Sequence, residues 1–501
     1  MQLILDSAAL LLNAFITRTL GTSAIGILSL TGSFLVLVGT ISNGNAFLCT
    51  SRLISEELGK PHGNPNTVLI HGISLCMILS ISVSLILNGF ADKIAERFFG
   101  GGDMGNAVRL MPLALIPSAI ASCLKGYFNA MRQSTAAAVS DILEFASKSA
   151  VILISAPKIK NPSESSICIL VITGIIAGSC ISLVYLLIMF IRLHKRYTEK
   201  SSVNFMGYLS LAIPIMGGGI LTSVLSSTND ALIPITLRQY GNSVNDALSS
   251  FGVFEAIVIP TIFFPSVVLC SLSGIIVSES ARATASCNTE RIRSITSRLL
   301  KYTMIFALFS AAVLIRYGNE IGNLMGGDEL AGRMISIIAP VVPFIYLEII
   351  LESLIKGMGL QSFSSLNYLA EYTIRISVVL IFIPRIGFYG IVLSYYASNV
   401  IGNIARLVKI IRRTGLHFSI ISNVLIPAVF VFMTMKTTEL IMRIINADGD
   451  SVPEMICFTA VWGLMYTGIF VVDRRYSPNK RTYNVHEGNG IHGFIKETLF
   501  P

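Results

Sequence analysis

Charge is scarce in this sequence. Only 13% of its 501 residues are charged, while 53% are hydrophobic. No soluble protein of this size needs that much apolar surface, so a soluble fold is excluded. Cysteine provides no framework. The eight are scattered without a CxxC, so neither a disulfide scaffold nor a metal cluster is indicated. Seven lie in or at the end of an apolar run and read as small packing residues. The six histidines lack ligand spacing, and neither GxxxxGKS nor GxxxxGKT occurs, so no metal, ATPase site or cofactor is expected. Asp448-Gly449-Asp450 resembles a metal-dependent DxD. Asp-Gly is an ordinary turn formula, however, and nothing around it forms a nucleotide pocket. No catalytic residue is expected, and the chain is not read as an enzyme.

What the chain has is apolar length. A bilayer core ~30 Å thick needs roughly 20 apolar residues per helix. Fourteen runs qualify, near 3–20, 25–49, 67–90, 107–124, 136–156, 167–191, 207–237, 247–279, 302–316, 334–355, 364–384, 387–405, 418–441 and 454–472. The first lacks a signal peptide's short apolar core and cleavage site, so it is expected to be retained. The expected class is all-α, a polytopic membrane protein of about 14 helices.

Two stretches are imperfect copies of each other. Ser55-Glu56 recurs as Ser278-Glu279, and Phe99-Gly100-Gly101 as Met325-Gly326-Gly327. Lys125-Gly126 recurs as Lys356-Gly357, and Glu144 with Lys148 as Glu371 with Arg375. The order is kept, at offsets of 223, 226, 231 and 227. Residues 1–192 then form a six-span lobe, 193–206 a basic linker and 207–413 a second lobe. An even number of spans per lobe makes the repeat parallel, which points to a transporter with its path between the lobes. Spans 13 and 14 (414–472) have no counterpart, and 473–501 is a polar tail.

The net charge of +9 invites a nucleic-acid reading, but the basic residues sit between spans. With both termini cytoplasmic, the inner segments hold 23 Lys and Arg, Arg406 among them, and the outer segments 10. That is the positive-inside asymmetry, and it sets the orientation. The longest polar loop, 280–301, is read as solvated, with an amphipathic helix on the inner leaflet as the other option.

Ionisable groups inside spans are costly and face a cavity or a partner. Glu144–Lys148 and Glu371–Arg375 sit four apart on spans 5 and 11, as self-neutralising pairs or as the polar lining of the path. Asp230, with Pro234 four residues on, and Glu255 are the candidates for binding a coupling cation or proton. Glu348 and Glu352 are placed to pair with Lys356, and Lys436 with Glu439. Arg18 and Arg52 lie at span ends and can snorkel.

ITRTLGTSAIGILSL (16–30) resembles the turn between spans 1 and 2 of the MOP-superfamily flippases. TSRLISEELGK (50–60) and LKGYFNAMRQSTAAAVSDILEFASK (124–148) are similar to the branch of stage V sporulation protein B and the MurJ lipid II flippases. KGMGL (356–360) and IPRIGFYGIVLSYYASNVIG (383–402) resemble its second-lobe pattern. The resemblance implies a V-shaped pair of lobes, alternating access, and undecaprenyl-pyrophosphate-linked sugars as cargo. It implies a bacterial cell membrane, with spans 13 and 14 grooved for the lipid tail. Where that branch carries arginines early in span 1, this chain has Asp6 and Asn13, and it begins late. Arg18 and Arg52 remain as the lumen cations expected to contact the pyrophosphate.

Two other readings stand beside the flippase. One is a cation-coupled multidrug exporter of the same superfamily. The other is a non-transporting scaffold among envelope-synthesis enzymes. The implied partners are a lipid-linked sugar and membrane lipids, not nucleic acid.

Overall fold

Glycine, asparagine and proline punctuate the apolar runs, and the helices break at them. The computed structural model describes residues 2–58, 64–99, 104–159, 163–193, 204–286, 288–327, 329–416, 418–444 and 452–476. Among them every element is helical. The linker core, the tail beyond 476 and Asp448-Gly449-Asp450 lie outside the described residues.

The first half begins with α1 (Gln2–Leu20). α2 (Thr22–Asn43) and α3 (Ala46–Leu58) are one interrupted run, because Gly44 and Asn45 both take left-handed backbone. α4 (Pro65–Gly89) starts under Asn64, whose side chain accepts the Asn66 amide at 3.0 Å. α5 (Ala91–Phe99), α6 (Gly105–Leu110), α7 (Pro112–Ala130), α8 (Ser134–Ser155) and α9 (Glu164–Leu193) complete it.

The second half opens on α10 (Phe205–Gln239). α11 (Val244–Val253) continues through a π-helical turn at Phe254–Val258 into α12 (Ile259–Phe263) and α13 (Val267–Ala285). Pro260 has no amide to give the Ala256 carbonyl four residues back, so the helical ladder is disturbed at that turn. α14 (Thr289–Leu324), kinked at Tyr317, is followed by α15 (Glu329–Ile338), α16 (Val342–Gly357), α17 (Gln361–Ile386) and α18 (Phe388–Thr414).

Eleven helical runs are long and apolar enough to cross a membrane. α1, α8 and α18 fall at the remaining expected positions; α8 carries Asp141, Glu144 and Lys148, and α18 is broken up by Tyr and Asn. The chain is thus a polytopic all-α membrane protein.

The packing repeats as the sequence does. α3, α4 and α9 pack on α7 in the first half, as α13, α14 and α18 pack on α16 in the second. α8 packs on α9 as α17 does on α18. α2 also packs on α10 and α11, and residues 1–424 form one compact unit. The second unit, from 425, holds α19 (Ile426–Ile444) and α20 (Val452–Tyr476). Its hairpin is pinned by Trp462, whose indole N–H donates to the Val431 carbonyl and the Thr434 hydroxyl. Lys436 and Glu439 pair at 2.8 Å.

Two sequence expectations are corrected. The 280–301 segment is the end of α13, a short turn and the start of α14, not a long loop. Asn288 caps α14 by accepting the Arg291 amide at 2.9 Å. Arg282 and Arg291 both pair with Glu279, and Arg293 donates to the terminal carbonyls Thr414 and Gly415 of α18. Arg406 is likewise no loop residue; it is 1% exposed inside the second half, since α18 runs on to Thr414.

Candidate functional site

The mid-helix ionisable residues fall into two groups. The first gathers Asp230 of α10, Glu255 of the π-turn and Arg375 of α17. Ser33 of α2 donates to Asp230 at 2.6 Å, which brings the first half to this group. Asn229 donates to the same carboxylate at 3.3 Å. Arg375 is within electrostatic reach of both Asp230 and Glu255. Its guanidinium lies over the Tyr395 ring at 4.2 Å and the Tyr372 ring at 5.2 Å, and Nε donates to Ser398 at 3.0 Å. The rings stabilise a cation that water no longer surrounds. No carboxylate is within ion-pair distance of Arg375 among the described residues. Arg375 is eleven residues from the end of α17, so it sits about 16 Å along the helix, near mid-bilayer depth.

The second group centres on Arg406. It pairs with Glu371 through both terminal nitrogens, at 2.5 and 2.8 Å, and with Glu348 and Glu352 at 3.2 and 3.3 Å. Lys356 also reaches Glu352, at 3.3 Å, and Ser364 donates to Glu352. Three carboxylates from α16 and α17 thus converge on one buried guanidinium from α18. Burial of this many charges is tolerable only because each finds a partner.

The first half has a simpler counterpart. Lys125 pairs with Asp141 at 2.7 Å and Glu144 at 2.9 Å, beside a cavity of about 430 Å³ lined also by Leu5, Phe47 and Asn129. Lys148 is half-buried and has no ion pair or hydrogen bond among the described residues. Gly178 leaves room for Glu144 as Gly402 does for Glu371: a Cβ at Gly402 would come 2.5 Å from Glu371 Cγ.

Neither pair spaced four apart therefore closes on itself; each glutamate is taken by a distant cation. Arg18 and Arg52 do not meet. Arg18 donates to the Leu324 carbonyl at 2.7 Å, at the end of α14. Arg52 pairs with Glu56 at 3.0 Å on the exposed face of α3. α4 runs along both α2 and α3, so these arginines are at opposite ends of that run, about 45 Å apart along the helices. Asn13 donates to the Ala256 carbonyl at 2.9 Å, supplying the partner that Pro260 cannot. Sequence reading missed Arg406, whose only signal was that a basic residue preceded the helix end by two turns.

Residues 1–239 match the polysaccharide biosynthesis protein family. Stage V sporulation protein B of Bacillus subtilis (strain 168) is 18% identical over 402 residues, covering 77% of each chain. A lipid II flippase MurJ, in an inward closed conformation, overlays with a TM-score of 0.70 at 14% identity. That overlay covers 94% of this chain and 97% of the flippase. A multidrug resistance MATE family transporter of the MOP superfamily, inward-facing, overlays with a TM-score of 0.65 at 12% identity. It covers 82% of this chain and 94% of its own. The chain has the fold of these MOP-superfamily structures.

Within this fold the two halves meet along α2. Thr40 accepts from Ser223 at 2.9 Å, Ser33 from Ser227 through its carbonyl at 2.9 Å, and Thr22 from Ser249 at 2.6 Å. Asp230 thus lies on a polar seam between the halves. Among the described residues no group of His, Cys, Asp and Glu is placed to hold a metal ion.

Proposed function

We propose that this chain is a membrane transporter that flips an undecaprenyl-pyrophosphate-linked sugar across a bacterial cell membrane. One observation carries the reading. Among the described residues each half keeps a mid-helix cation without an ion pair, Lys148 and Arg375, in repeat-related positions. A cation left unpaired at that depth is costly, so a role that needs a free positive charge favours its retention. A pyrophosphate crossing hydrocarbon needs such charges, while its polyprenyl tail stays in lipid. The overlays support this choice. Residues 1–413 are about four-fifths of the chain, so an overlay of 94% on the lipid II flippase takes in residues beyond 413. The exporter overlay, at 82%, does not need them.

The halves 1–192 and 207–413 act as lobes that rock about the 193–206 linker, with both termini cytoplasmic. Asp230 and Glu255 are two carboxyl groups beside one guanidinium, that of Arg375, and they take up the coupling proton or monovalent cation. That acidic seam is also what favours the second reading, a cation-coupled exporter of cationic drugs. Lipid-linked sugar, membrane lipids and envelope-synthesis enzymes are the partners.

The test is uptake of fluorescent undecaprenyl-pyrophosphate-linked sugar in proteoliposomes. Arg375→Ala and Lys148→Ala should each cut flipping about tenfold or more at equal insertion, the loss of a charge-assisted contact. Unchanged flipping in both variants would remove Lys148 and Arg375 from the site. Absence of flipping by the wild-type chain, with efflux of a cationic dye, would establish the exporter instead.

A further inference from the structure

We infer that Arg406 and Lys125 are positioning residues: by capturing Glu371 and Glu144 they keep Arg375 and Lys148 free of ion pairs. The inference rests on the reading of those two cations just given. In sequence each glutamate stands one helical turn before its cation, the spacing at which opposite charges meet. Inside a membrane protein, where screening is weak, such a pair should close. It closes in neither half. Arg406 holds Glu371 through both of its terminal nitrogens, and Lys125 holds Glu144 at 2.9 Å.

The two captors are not repeat-related, which is the stronger argument. Lys125 corresponds to Lys356, and Lys356 pairs with Glu352 instead. Gly174 beside Lys148 and Gly178 beside Glu144 correspond to Ser398 beside Arg375 and Gly402 beside Glu371. Carried on by four residues, that register sets Ser182 against Arg406. Ser182 is a fully buried hydroxyl without a hydrogen-bond partner among the described residues. α9 therefore has no arginine at that position, and α7 supplies the cation from another direction. Two different constructions share one outcome, a glutamate withdrawn from the cation four residues on. Charge balance alone would not require this, because closing each pair neutralises it more simply.

The experiment measures the Kd of radiolabelled undecaprenyl pyrophosphate on the full chain in nanodiscs, with the melting temperature recorded alongside. Arg406→Gln should release Glu371 onto Arg375 and weaken binding about tenfold. Adding Glu371→Gln should bring the Kd back to within about threefold of wild type. A merely structural role for Arg406 predicts no such rescue, since Glu348 and Glu352 still lack their arginine in the double variant. Lys125→Gln with and without Glu144→Gln puts the same question to the first half, and decides it if Arg406→Gln does not insert. Unchanged binding in the single variants, or a loss that the second substitution does not repair, overturns the inference. If Arg375→Ala and Lys148→Ala bind as wild type, the proposed site falls and this inference with it. If those two lose binding while Arg406→Gln and Lys125→Gln keep it, only the inference falls.

Discussion

At the scale of the residue, Arg18 shows how a side chain is committed by what it touches. The family resemblance sends it to a pyrophosphate, which a guanidinium can grip with two nitrogens. In the structure one terminal nitrogen donates to the Leu324 carbonyl, the unsatisfied end of α14, and its Cγ packs against Gly326. Gly326 has φ 78, so the chain can turn away beneath the arginine only there. A single bond to a helix-end carbonyl is within reach of an ammonium. Arg18→Lys should therefore melt near the wild-type temperature and flip near the wild-type rate. Arg18→Ala should cost about 1 kcal/mol of stability, as lost caps do. Thermal melts in detergent and flipping assays check both. Equal impairment by Lys and Ala would mean that Arg18 uses its fork elsewhere in the cycle.

At the scale of the element, the crossing of α2 with α11 decides how closely the halves approach. A Cβ on Gly252 would lie 2.2 Å from the Gly26 amide nitrogen, and one on Gly26 would lie 2.0 Å from the Leu248 carbonyl oxygen. Backbone touches backbone there, the contact that small residues permit between membrane helices. The π-turn follows within two residues, and Asn13 of α1 is bonded into it. Gly252→Ala should prise the halves apart at this end, at a cost of about 1–3 kcal/mol. Spin labels at Ser23 and Val244, read by pulsed dipolar spectroscopy, should report a longer mean distance in the variant. An unaltered distance distribution would show that the crossing does not set the closure.

At the scale of the whole molecule, the prediction concerns orientation. Moving Arg406 into the core leaves 22 basic residues on the proposed inner segments against 10 outside, so the asymmetry survives the correction. Single cysteines at 200 and 290, in a cysteine-free background, should resist an impermeant maleimide added to intact cells. They should react once the membrane is opened. Ready labelling from outside would invert the topology.

The sequence by itself determined the apolar runs, the all-α membrane-crossing class, and the internal duplication. It also marked Glu144, Lys148, Asp230, Glu255, Glu371 and Arg375 as groups set at costly depth. These are local properties, because a helix satisfies its own backbone and an apolar run declares its preference for lipid residue by residue. Tertiary structure alone decided who pairs with whom. Glu144 is bound 19 residues away by Lys125, Glu371 35 residues away by Arg406, and Arg18 306 residues away by Leu324. The nearer partner, four residues on, lost each glutamate. An ion pair's worth depends on how fully it is desolvated and how many donors converge, and both are fixed by which helices pack together, not by spacing along one of them.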